Sequence, residues 1–595
     1  MPEITTLNDL FFAGTAHGKA RAILYPREGR FLSLSHAQFR EEVRCLSMGL
    51  RALGCVDDTP VALLAENSWK WAALDYAILA AGGVTAPIYA AYPADYVRDH
   101  LARSHARMAA VSTRAQLEKV LALRPGLPDL ERIILMEGAD PAAMSWEDVK
   151  ARGSEFMAGR GDDFEIRARA RRPEDAATLL FTSGTAGVPK GIRLTHRNIL
   201  SDVLATAALF DLNPHDTSLT FLPLSHILER MVNYAFFFSG VTLAYGESME
   251  RIAPNLRQVR PTLFAAVPRL YEKTFARIQE TIGDSALKAG IFSWAERVAR
   301  QRAQRRLAGR PLPLALRFSA AAAHLLVFRK ILRGLGGRLR FCISGGAPLS
   351  PRLAEFFIGA GVNVYEGYGL TETSPVLAVN TALRRRIGSV GRPLPCVEMR
   401  LAPDGEILVR GPNVFHEYYE DPAATREAFT ADGFFRTGDV GRFDEDGFLF
   451  ITDRKKDILV TAGGKNIAPQ PIENRLKTLP GIQHAIILGD RRPYPVALLI
   501  PDMAHLQAWA RAQGIPETPV ESLVDDPRVQ ARYAALVEEA CRPLAVFERP
   551  KKFILLPQEI TLEGGLLTST LKIRRSALER RFASVIDRLY GKDSA

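Results

Sequence analysis

The chain has 595 residues, of which 47% are hydrophobic and 24% charged, with 45 Gly and 37 Pro. This is a globular mixture, too long for one core, and it excludes a disordered chain, a collagen and a disulfide miniprotein. The formal net charge of +11 is local: between Asp284 and Arg340, thirteen Lys and Arg face two acids, so the remaining sequence is neutral.

The first residues, Met1 to Thr6, lack a basic start followed by an apolar core, so no signal peptide is expected. Residues 60–64 read as a buried strand. Asn67 or Ser68 caps a helix through Trp69, Trp71, Leu74 and Ile78, and Gly82-Gly83 ends it. Further strands are predicted over 84–89, 177–181, 219–222, 263–267, 339–343 and 362–365, with a helix over 196–212. Strands spaced by helices predict an α/β fold with a doubly wound, mostly parallel sheet. The apolar stretches 231–245 and 318–328 fall short of the roughly 20 residues that span a bilayer. The protein is therefore expected to be soluble or to lie on a membrane surface.

The pattern changes after about Gly388. Pro403-Asp404-Gly405 and Asp444-Glu445-Asp446-Gly447 are turn signals between short strands, which predicts two hairpins and a small β subdomain over about 385–452. After Asp453-Arg454-Lys455-Lys456-Asp457 comes an α+β tail, with strands over 485–488 and 496–500 and helices over 505–513 and 529–541. The predicted division is 1–455 and 456–595. The five cysteines, Cys45, Cys55, Cys342, Cys396 and Cys541, form no C-x-x-C pair. They read as buried apolar residues of a reducing compartment.

Six segments carry candidate chemistry. The strand at 177–181 runs into Thr182-Ser183-Gly184-Thr185-Ala186-Gly187-Val188-Pro189-Lys190-Gly191. Its glycines permit close backbone approach, and exposed N–H groups with hydroxyls suit phosphate oxygens. It is not a Walker A loop, since Lys190 is followed by Gly191. The others are Ser344-Gly345-Gly346-Ala347-Pro348-Leu349-Ser350, Tyr365-Glu366-Gly367-Tyr368-Gly369-Leu370-Thr371-Glu372-Thr373, Gly433-Phe434-Phe435-Arg436-Thr437-Gly438-Asp439, the Asp453–Asp457 segment, and Thr568-Ser569-Thr570-Leu571-Lys572-Ile573-Arg574-Arg575. They lie at strand ends or turns, where α/β proteins bind ligands.

In this order the segments resemble the adenylate-forming (AMP-binding) superfamily, and the likeness runs from about residue 10 to the end. Val460-Thr461-Ala462-Gly463-Gly464-Lys465-Asn466-Ile467-Ala468-Pro469 and the basic insert before Ser344 are most similar to the long-chain fatty acyl-CoA synthetase branch. The resemblance implies a large N-terminal domain of doubly wound mixed sheets with a small β subdomain. A small mobile α+β C-terminal domain would follow and carry the catalytic lysine. It implies ATP, Mg²⁺ and CoA as co-substrates and metal, and a fatty acid as substrate. The acid would first form acyl-AMP and pyrophosphate, and CoA would then displace AMP.

On this resemblance, Thr182, Ser183, Gly184, Thr185, Gly187 and Lys190 would hold the departing phosphates. Thr371 would bond the α-phosphate, while Glu372 with Thr185 would hold Mg²⁺. Gly346, Ala347, Pro348, Glu366, Gly367, Tyr368 and Gly369 would form the adenine slot, with Tyr368 on the base. Asp439 and Arg454 would take the ribose. His226 would border the acyl carboxylate and CoA channel. Lys572 would bridge acyl carboxylate and α-phosphate. Lys456 would be the pivot about which Gly463, Gly464 and Lys465 swing in to line the CoA tunnel. Each also has a plainer reading: Asp439 as a turn residue, Glu372 as a helix-start carboxylate, His226 as packing, Lys572 as one tail cation among several. Ala186 and Ser569 depart from the family pattern without removing a charge.

The apolar run after His226 offers Met231, Tyr234, Phe236, Phe237 and Phe238 either as acyl pocket or as helix core. The basic segment 288–340 suits an anionic membrane or is a solvated face, and no nucleic-acid motif accompanies it. The expected location is cytoplasmic, peripheral on the inner face of a membrane. Competing readings are an acyl-AMP ligase that loads a carrier-protein thiol, activation of an aromatic or other carboxylic acid, and a non-catalytic binder.

Overall fold

The computed structural model describes residues 3–182, 189–282, 285–463, 465–516, 519–557, 566 and 575–591. Two large sheets dominate it. The first has seven strands, in the order Met144–Ser145, Arg132–Leu135, Met108–Val111, Pro60–Leu64, Val84–Ile88, Ala176–Thr182 and Lys190–Thr195. All its neighbours are parallel except the last pair. The second has nine strands, parallel through Val364–Gly369, Phe341–Ser344, Leu263–Ala266, Thr217–Thr220, Thr242–Tyr245 and Ile23–Arg27. Antiparallel strands close both of its ends.

Helix Trp69–Ala81 shows how sequence sets this packing. Ser68 is its N-cap, accepting from the Trp71 N–H at 3.2 Å, and Gly82 ends it in the left-handed region at φ 96°. The helix is buried from Trp71 to Ala81 and apolar over that length except for Asp75, as suits a helix packed on every side. Asn67, the other cap candidate, is used differently. Its amide donates to the Leu222 carbonyl and accepts from the Leu224 N–H, which splints the turn leading to His226. Tyr76 of this helix meets Phe11, Phe39, Tyr234 and Phe237 in an aromatic cluster. Tyr234, Phe236 and Phe237 are therefore helix core, and of the five residues offered as acyl pocket, Met231 alone lines the cavity described below.

Several boundaries differ from the sequence expectation. The helix over 196–212 stops at Ala207, and Phe210 stacks on Phe341 at 5.4 Å. The strand over 219–222 is Thr217–Thr220, because Pro223 cannot donate to a ladder. Strand Lys190–Thr195 was not anticipated.

The two expected hairpins form a four-stranded antiparallel meander, Glu398–Leu401, Glu406–Arg410, Phe435–Phe443 and Leu449–Arg454. Beyond it, strands Ile482–Leu488, Val496–Pro501 and Lys552–Leu555 form a separate sheet. That sheet has its own apolar clusters, drawn from residues 459–590, whereas the main core ends at Leu449. No helix among the described residues is long and apolar enough to cross a membrane.

Candidate active site

The ends of both large sheets and the β meander enclose one cavity of about 1330 Å³. Thr182, Lys190, His226, Gly346, Ala347, Gly367, Tyr368, Gly369, Thr371, Glu372, Arg454 and Lys456 all line it. Residues that are far apart in sequence thus meet at one place.

Thr182 and Lys190 face each other across the hairpin Ala176–Thr182/Lys190–Thr195, which brings the ends of the Gly-rich loop together. Ser183, Gly184, Thr185, Gly187, Gly464 and Lys572 lie outside the described residues. Thr371 and Glu372 form a single 3₁₀ turn after strand Val364–Gly369. Gly369 permits it, because a Cβ there would lie 1.6 Å from the Pro375 carbonyl oxygen. Buried Asn413 secures the turn by donating to the carbonyls of Thr373 (3.0 Å) and Val376 (2.9 Å).

Glu372 faces the cavity, and burial pushes its carboxyl above the usual carboxylate range. Tyr418 donates its hydroxyl to Glu372 Oε1 at 3.1 Å, and the Lys190 ammonium sits 4.6 Å from the Tyr418 ring centroid. Tyr418 thus ties the phosphate-loop lysine to the metal-ligand candidate. Sequence reading missed it; the one available signal was the aromatic pair Tyr418-Tyr419 before a Pro-started helix.

Asp439 and Arg454 are cross-strand partners, and the Arg454 Nε–H donates to Asp439 Oδ1 at 2.8 Å. The Tyr368 hydroxyl donates to the other oxygen at 2.7 Å. Asp439 is buried and keeps Arg454 firmly protonated. This makes Asp439 more than a turn residue: it joins the adenine-slot tyrosine to the β meander.

Glu366 and Pro348 do not line the cavity. Glu366 sits behind its wall, accepting from the Leu349 backbone N–H, with its carboxyl pushed up to about 8 by burial. It braces one slot segment against the other.

His226 lines the cavity and also caps helix Ile227–Phe238, its Nδ1 accepting from the Leu228 N–H at 3.3 Å. Gly463 and Lys465 are not in the cavity wall; their loop joins the short strands Leu459–Val460 and Asn466–Ile467. Arg575, just beyond the Lys572 segment, is committed to Glu473 at 2.7 Å, so it is not an alternative free cation. No cluster of three metal-ligating side chains occurs among the described residues.

Comparison with known proteins places this geometry. The model of the AMP-binding enzyme family matches residues 12–419, and that of the AMP-binding enzyme C-terminal domain matches 456–594. The chain is 37% identical over 578 residues to the long-chain-fatty-acid–CoA ligase FadD15 of Mycobacterium bovis, covering 96% of this chain and 95% of that protein. It is 32% identical to long chain acyl-CoA synthetase 7, peroxisomal, of Arabidopsis thaliana, over 100% of this chain and 87% of that one. Among solved structures, the adenylation domain of a carboxylate reductase from Mycobacterium chelonae superposes with a TM-score of 0.77 at 22% identity, covering 100% and 92% of the two chains. That likeness concerns the fold alone.

Proposed function

The chain belongs to the AMP-binding enzyme family, and from that premise we propose that it joins long-chain fatty acids to CoA at the expense of ATP, releasing AMP and pyrophosphate. The observation that carries this reading is the shared cavity. The same space is lined by the phosphate candidates Thr182 and Lys190, by the ribose candidate Arg454 and by apolar Phe210, Met231 and Val232. Burying a hydrocarbon tail there contributes about 0.8 kcal/mol per CH₂.

In the first half-reaction an acyl carboxylate oxygen attacks the α-phosphorus. An O–P bond forms, the bond to the β-phosphate oxygen breaks, and pyrophosphate leaves. An anion must approach a polyanion, so neutralisation and alignment supply the catalysis. Lys190 and Arg454 bring positive charge to the cavity, and Lys572 would bridge the two reacting groups. Thr371 would donate to the α-phosphate, and Asp439 would accept from the ribose hydroxyls. Mg²⁺, when bound, supplies further charge neutralisation, with Glu372 and Thr185 as its protein ligands. In the second half-reaction the CoA thiolate attacks the acyl carbonyl and AMP departs. Lys465 with Gly463 and Gly464 would line the thiol's path after the C-terminal domain, 456–595, turns about Lys456.

The basic segment 288–340 is the face that would meet an anionic membrane, where free fatty acid partitions. Product analysis by mass spectrometry tests the acceptor. With a long straight-chain acid, ATP and Mg²⁺, acyl-CoA and AMP should accumulate with CoA. Acylation of a phosphopantetheinylated carrier protein, with none of CoA, would overturn the reading.

A further inference from the structure

Helix Leu314–Ala323 continues through a π-helical turn, His324–Phe328, into helix Arg329–Gly334. Its inner face packs Ala320, Ala323, Phe328 and Ile331 into the main core. Its outer face is unusual. Leu314 is 69%, Phe318 76%, Leu325 64% and Leu326 51% exposed, and Ala321 between them is also exposed. Leu314, Phe318, Ala321 and Leu325 follow the i, i+4, i+7, i+11 spacing of one helical stripe. A run of large apolar side chains turned to solvent on one ridge marks an interaction surface.

The surrounding charge says what kind. Arg317, Arg329, Lys330 and Arg333 border the stripe and are exposed. The ion pairs of this region are Arg340 with Asp211 and Asp216, and Glu296 with Arg352. The four bordering cations pair with no carboxylate among the described residues. An apolar ridge rimmed by uncommitted cations matches a leaflet of anionic lipid: headgroup phosphates for the rim and the acyl boundary for the ridge. A second copy of the chain would bring an equally cationic rim against this one and be repelled.

We infer that 314–326 is a wedge that inserts Leu314, Phe318, Leu325 and Leu326 into an anionic leaflet, holding the enzyme in the plane of the membrane. The inference rests on the reading that the basic segment faces a membrane, and adds that attachment is apolar as well as electrostatic.

Vesicle flotation of the full chain tests it, using phosphatidylcholine alone and phosphatidylcholine mixed with phosphatidylglycerol. The variants are Phe318→Gln with Leu325→Gln, and separately Arg329→Gln with Lys330→Gln. All these side chains are exposed, so folding and turnover of a short, soluble acid without vesicles should be unchanged. Wild type should float with the anionic vesicles. The apolar double variant should bind about tenfold more weakly or worse, at both low and high salt. The cationic variant should lose only the salt-sensitive part. Equal binding by wild type and the apolar variant overturns the wedge while leaving the charged face intact. Absence of any anionic dependence overturns the charged face itself. Lipid-free wild type that sediments as a dimer, with a monomeric apolar variant, assigns the ridge to self-association and overturns the inference.

Discussion

The carboxylate of Asp439 accepts hydrogen bonds from Tyr368 and Arg454, and so presents a buried acceptor edge beside the cavity. If it holds the ribose, Asp439→Asn removes the charge from two substrate bonds at little cost to shape. Charge-assisted bonds are worth about 1.5–3 kcal/mol each, so KM for ATP should rise roughly 10- to 100-fold, and the melting temperature should fall because Arg454 loses its carboxylate partner. Initial-rate kinetics check this. Glu366 makes a prediction of a different sort. Its carboxyl, near 4.5 when unfolded, is pushed up to about 8 by burial in the fold. Its contribution to stability is therefore complete below about pH 4.5 and is lost as pH rises through about 8. Glu366→Gln should match wild type near pH 4.5 and exceed it by a few kcal/mol at pH 9, read from denaturation curves at each pH. At this scale the motifs that meet at the cavity were legible, since each stands at a strand end or turn with particular side chains. Glu366 stands behind the wall, and an acid that braces a wall and an acid that lines it look alike in sequence. Tyr418 was missed because its partners, Glu372 and Lys190, are brought to it only by the fold.

Among elements, the link between helix Ile227–Phe238 and the strand feeding the phosphate loop rests on a buried ion pair. Arg230 and Asp75 are each 1% exposed. Arg230 also donates to Thr178 of strand Ala176–Thr182 at 2.7 Å, while Tyr234 and Thr85 donate to Asp75. His226 and Thr182 sit on elements that this cluster clamps together. Arg230→Met leaves a buried, unpaired Asp75 and should cost about 3–5 kcal/mol, whereas Arg230→Met with Asp75→Leu should recover much of it. Urea denaturation of the two single variants and the double variant measures that coupling. Strands such as Pro60–Leu64 and Val84–Ile88 and both β hairpins were legible because turn residues and apolar runs are local signals. Strand Lys190–Thr195 was not, because its ladder depends on a partner across the loop. The aromatic run at 234–237 divides core from pocket only once Tyr76 and Phe11 are packed against it.

For the whole molecule, the chain is pinned on either side of the proposed pivot. Arg454 is held by Asp439, and Lys455 by Asp404 and Glu406, all on the β meander. Lys456 follows directly, in the cavity wall, its ammonium pKa lowered by burial and by nearby Lys190. Arg575 fastens the far end of the Lys572 segment to Glu473 of the C-terminal unit. The architecture was legible as a change of rhythm after about Gly388 and a charged junction near Lys456. The proposed turn of the C-terminal unit was not, since a single sequence encodes no second arrangement that can be read from periodicity.

On the proposed function, one cavity would serve adenylation and then, after rearrangement, thiol attack. Pyrophosphate release by purified protein with ATP, Mg²⁺ and straight-chain fatty acids of increasing length, with and without CoA, tests this most directly. About one equivalent should be released without CoA, as acyl-AMP is retained, and continuous turnover should follow when CoA is added, strongest on long chains. Lys572→Ala should abolish both phases. Multiple turnovers that ignore CoA, or activity that survives Lys572→Ala, would contradict it.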